Sequence, residues 1–144
     1  MDYKEYSKDL LGRKNNLVSA YSSIKSELEY LEEQKTTCKT ASLNCKSEAE
    51  RSVYDERFIN ILADLEDCRF RRSVVERELR KIEKGMMGLS DYQKEIIEKF
   101  FIENDSTAAE ELMERWFKER SSLYRDRNRA LEQFTRSVYG VLQL

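Results

Sequence analysis

Residues 106 to 139 read S-T-A-A-E-E-L-M-E-R-W-F-K-E-R-S-S-L-Y-R-D-R-N-R-A-L-E-Q-F-T-R-S-V-Y, and the spacing of the apolar residues parses them as two helices. Ala108, Ala109, Leu112, Met113 and Trp116 recur at the interval of one buried helical face, and Thr107 stands three residues before Glu110, the pattern of a capping box. The second helix is expected to begin at Ser121 or Ser122, either of which can accept a bond from an amide of the first turn. Leu123, Ala130, Leu131, Phe134 and Val138 fall on one side of its helical wheel; Ser122, Arg125, Arg129 and Arg136 fall on the other. Two helices joined by a few residues, the second with a polar basic face, form a candidate helix-turn-helix.

Charge is distributed unevenly around this stretch. Residues 115 to 136 hold seven Lys or Arg against three Asp or Glu, whereas residues 89 to 114 hold two against eight. The chain as a whole carries a net charge of −2, with residues 1 to 88 balanced at seventeen of each sign. Positive charge gathered on one helix and the turn before it is the electrostatic footprint of a duplex-binding element. A solvated Arg-rich surface has the same pattern, so charge alone leaves both readings open.

Upstream, L-S-D-Y-Q-K-E-I-I-E-K-F-F-I runs from Leu89 to Ile102, and Ser90 with Gln93 makes a second capping-box pattern. Ile96, Ile97, Phe100, Phe101 and Ile102 supply the expected buried face of this helix, which should end at Asn104 and Asp105. Trp116, Phe100, Leu123 and Phe134 are the expected core. Together with S-S-L-Y-R-D-R-N-R-A-L-E-Q-F and V-Y-G, residues 89 to 140 resemble region 4 of sigma-70-type factors as used in small phage-encoded transcriptional regulators, the ArpU-like group. The preceding helical segment resembles the coiled-coil half of those proteins. The resemblance implies that Arg120, Ser121, Tyr124 and Arg125 approach base edges or phosphates.

In the first half, Tyr3, Leu10, Leu17, Ile24 and Leu31 recur every seven residues, with Tyr21 and Leu28 filling the seam. One helix to about Gln34 is expected, then a connector over residues 36 to 47, where Thr, Ser and Asn compete for backbone bonds. Tyr54, Phe58, Ile61, Leu65, Cys68, Val75, Leu79, Ile82 and Met86 mark a second long helix, which Gly85 and Gly88 should end through left-handed C-caps. Two seams of this length, roughly 45 Å each, fit an antiparallel hairpin, and heptads equally allow an intermolecular coiled coil. The fold expected is therefore all-α: a helical hairpin over 1–88, then a small helix-turn-helix domain over 89–144.

Composition narrows the chemistry. The chain has no histidine, no proline and three cysteines, Cys38, Cys45 and Cys68, with no C-x-x-C pair. Without histidine the usual nucleophile pairs and most zinc ligand sets are missing, so no catalytic site, metal or cofactor is expected, and the cysteines read as free thiols of a reducing cytoplasm. No apolar run approaches the ~20 residues of a membrane span.

The function expected is that of a phage or prophage DNA-binding regulator of transcription acting in the bacterial host. Double-stranded DNA is its partner, with Ser121, Tyr124, Arg125 and Asn128 near bases, Arg120, Arg127, Arg129 and Arg136 supplying phosphate contacts, and Ser122 on the same polar face. Arg127 projects partly toward the packed side. Two alternatives use other features: docking on RNA polymerase or another phage protein through the acidic helix and the hairpin, and a small-terminase-like DNA-packaging adaptor. Self-association through the N-terminal helices belongs to the first reading.

Overall fold

A computed structural model describes residues 1–144. The protein is all-α: α1 (Tyr3–Gly12), α2 (Lys14–Leu43), α3 (Glu48–Met87), α4 (Asp91–Ile97) with a π-helical turn continuing it over Glu98–Ile102, α5 (Ala108–Trp116) and α6 (Arg120–Tyr139). The helices group into two compact units, one made of Met1–Val18 with Arg77–Leu144, the other of Ser19–Glu76.

The expected single helix through Tyr3 and Leu31 is interrupted at Arg13, whose backbone sits at φ −90° and ψ −4°. Gly12 lowers helix propensity there, and the two sides of the break have different partners. Leu10 and Leu11 are both buried, in one core with Ile82, Leu89, Ile96, Ile97, Leu112, Leu123 and Phe134. Ser7 is buried as well, its hydroxyl 2.8 Å from that of Thr135 on α6. Thr135 donates to the Leu131 carbonyl at 2.7 Å, so Ser7 is the donor to Thr135, and neither buried hydroxyl is left unpaired. Beside this bond Tyr3, Tyr6 and Tyr139 cluster, Tyr3 and Tyr6 edge to face and Tyr139 tilted against both.

In the second unit Ile24, Leu28, Leu31 and Cys38 of α2 pack with Ile61, Leu65 and Cys68 of α3. The Cys68 thiol reaches the Ile24 carbonyl at 3.7 Å and the Cys38 thiol the Tyr54 carbonyl at 3.1 Å, so the pairing runs in opposite directions along the two helices. Arg71 adds paired bonds to Glu27. The expected connector over 36–47 is corrected to residues 44–47, because α2 continues through the threonines. Thr36 and Thr40 donate their hydroxyls to the carbonyls of Glu32 and Thr36 at 3.1 and 3.0 Å, which leaves them no reason to compete with the helix. All three thiols are free.

Gly85 does not end α3. It lies inside the helix, without a left-handed backbone, and a Cβ placed on it would overlap the ring of Phe134. The glycine is needed for close approach, and Phe134 of α6 packs directly on the α3 backbone there. α4 begins as its sequence implies, with Ser90 and Gln93 forming both bonds of the capping box. Its last turn widens to π geometry, which spreads the three consecutive apolar residues Phe100, Phe101 and Ile102 into partly buried positions.

Candidate nucleic-acid interface

α5 and α6 are joined by three residues, Phe117, Lys118 and Glu119. The box expected at Thr107 does not form: Thr107 makes no side-chain cap bond, and Asp105 accepts from both its amide and its hydroxyl at 2.9 Å. A carboxylate two residues back satisfies the same donor, as in an Asx-turn, and these bonds hold the Asp105 carboxyl below its usual range. Nor does α6 start on a serine cap. Arg120 is its first residue, Glu119 takes the N-cap position, and no side chain caps the turn.

Two side chains of α4 hold this pair of helices. Glu95, its side chain only 15% exposed, accepts from Trp116 Nε1 at 2.7 Å and from Arg115 at 2.9 Å, which anchors the end of α5. Tyr92 stacks on Trp116 and donates its hydroxyl to Asp126 at 2.8 Å, which anchors the start of α6. Burial chiefly, and then the bond and charge of Asp126, push the Tyr92 hydroxyl pKa up. A raised pKa favours the protonated form in the folded chain. The contribution is complete below the unfolded tyrosine value of about 10 and is lost as pH rises beyond it. Tyr92→Phe is therefore expected to cost roughly 1 kcal/mol at neutral pH, with the gap to the parent closing above pH ~10. Urea titrations at both pH values check this; stability curves that stay parallel would refute it.

The seven cations of residues 115 to 136 divide by partner. Arg115, Lys118 and Arg120 face the carboxylates of Glu95, Asp126 and Glu110 at 2.9, 3.8 and 3.2 Å. Arg127 lies over the rings of Tyr124 and Phe100, 4.5 and 5.3 Å from their centroids, and covers the core rather than projecting freely. Arg125, Arg129 and Arg136 are exposed and meet no carboxylate of the chain. Spaced four and seven residues apart, they share one face of α6 and span roughly 16 Å along it. Glu132, on the same side, is drawn toward Lys4 of α1 at 3.9 Å.

The other expected contacts scatter around this stripe. Ser121 is exposed at its N-terminal end and Ser122 is half-buried beside it. Tyr124 is half-buried and turned onto Phe100, ring centroids 5.9 Å apart. Asn128 is exposed at the α1 edge, lining a cleft of about 200 Å³ with Lys4, Lys8, Phe101 and Leu131. Trp116 and Phe100, expected in the core, are partly buried at its margin, while Leu123 and Phe134 lie at its centre. The roles of Tyr92, Glu95 and Lys4 carry no local signal, because each acts on a residue at least twenty positions away.

No three His, Cys, Asp or Glu side chains converge in a way that could hold a metal ion, and no helix is long and apolar enough to cross a membrane. The chain matches no protein-family model, no curated protein and no solved structure.

Proposed function

We propose that this is a sequence-specific DNA-binding regulator of transcription of the phage ArpU-like kind. In that reading α5, the three-residue turn and α6 are a helix-turn-helix like that of sigma-70 region 4, and α2 with α3 is an antiparallel helical hairpin. The observation that carries the reading is the stripe of Arg125, Arg129 and Arg136, exposed and without carboxylate partners, on the second of two helices separated by three residues. Cations left unpaired on a helix that fits the major groove are the groups that exchange counterions for phosphates and reach base edges. The uncapped first turn of α6 would add amide donors toward a phosphate.

Acidic side chains weigh less against duplex binding than their number implies. Glu95, Glu110 and Glu111 are engaged with Arg115, Arg120 and Lys99, which lowers the repulsion felt by a phosphate backbone and equally weakens the case for docking on RNA polymerase through the acidic helix. Selection of bound duplexes from a random pool tests the proposal: an enriched motif is expected, and a pool without one would return the docking reading to first place.

Self-association is a second part of the proposal. On α3, Ile59 and Phe70 remain exposed, at 64% and 66%, along the side facing away from Ile61, Leu65 and Cys68, with Leu62, 42% exposed, at its flank. Phe70→Lys should shift the mass measured by light scattering from oligomer toward monomer; a parent chain that is already monomeric would remove this part.

A further inference from the structure

Phe117 incurs two costs at one position. Its side chain is 93% exposed, and its backbone is left-handed, at φ 54° and ψ 48°, where glycine sits freely and a bulky side chain is strained. Asn104 is the other non-glycine residue at positive φ, and asparagine tolerates that region. The fold explains the backbone: the amides of Phe117 and Lys118 both return to the Met113 carbonyl and close the end of α5. It does not explain the ring, which meets no other aromatic ring and no cation of the chain.

The ring's position does point to an occupant. Phe117 opens the turn into α6, four residues before Ser121 and eight before Arg125. A phenyl ring can neither donate nor accept a hydrogen bond at a base edge, and the one apolar group that base pairs present in the major groove is the thymine C5 methyl. We infer that Phe117 is a specificity-determining residue that packs on a thymine methyl at one end of the site read by α6. The inference rests on the DNA-binding reading and adds a preference that the arginines cannot supply.

The test uses the full chain and a duplex selected from a random pool, made once with thymine and once with deoxyuridine, which lacks only the methyl. Phe117→Gly should raise the melting temperature by about 3 °C through relief of the left-handed strain, yet bind the thymine duplex roughly tenfold more weakly. Deoxyuridine should weaken the parent by a similar factor and leave the variant unchanged. The inference is overturned if the variant binds as tightly as the parent, or if deoxyuridine weakens both alike. It is also overturned if the variant changes only the mass measured by light scattering, which would assign the ring to a second copy of the chain. A parent that enriches no motif removes the DNA reading itself, and the inference with it.

Discussion

Phe134→Ala is expected to destabilise the protein by roughly 3 to 5 kcal/mol, a large part of the 5 to 15 kcal/mol typical of a domain. Phe134 has no exposed surface and sits among Leu10, Leu11, Ile82, Leu112 and Leu123. Its ring rests on Gly85, so the space it would vacate is walled on one side by α3 backbone with no side chain to swing inward. The cavity term therefore adds to the lost transfer energy instead of relaxing away. Urea unfolding followed by circular dichroism measures the effect; a loss below about 1 kcal/mol would show that the ring is not the contact joining α6 to α3.

Arg125→Ala should leave thermal stability nearly unchanged and reduce binding to a selected duplex more than to random DNA. The side chain is exposed, opposite Leu123, Ala130 and Phe134, which are fully buried, and surface changes of this kind stay within about 0.5 kcal/mol. One turn inside the start of α6, it would occupy, in the proposed helix-turn-helix, the region that reaches base edges. A bidentate contact to guanine is worth roughly 1 to 3 kcal/mol of discrimination. Arg129, one turn further along the same face, should behave as a phosphate contact: its loss weakens all sequences alike and reduces the salt dependence by about one counterion. Titrations at matched salt on selected and random duplexes separate the two. Parent-like binding of the selected site by Arg125→Ala would show that this face does not read bases.

Local sequence carried a good deal of this structure. Helical periodicity placed Cys68, Leu123, Ala130 and Phe134 on buried faces, and the Ser90 capping box formed as written, because both features depend on residues three or four positions apart. The same local reasoning failed at Thr107, which keeps the N-cap position but gives its amide and hydroxyl to Asp105 instead of forming a box, and at Ser121, because α6 begins at Arg120 behind a Glu119 that makes no side-chain cap bond. It failed again at Thr36 and Thr40, whose hydroxyls can bond within a helix or against it; packing of Cys38 on the Tyr54 carbonyl held the helical choice.

By itself, then, the sequence determined an all-α chain, the buried stripe of each long helix and the gathering of positive charge after residue 114. Tertiary structure alone decided which helices share a core and which arginines stay free. Heptads from Tyr3 to Leu31 look continuous, yet Leu10 and Leu11 pack with Phe134, and Ser7 meets Thr135 across 128 residues. A period states which side of a helix is apolar and says nothing of what will cover it. The same holds for charge: seven cations count alike along the chain, but folding brings Glu95, Glu110 and Asp126 against Arg115, Arg120 and Lys118. Ion pairing acts over a few ångströms of space, so the face left to Arg125, Arg129 and Arg136 emerged only once the helices had been packed.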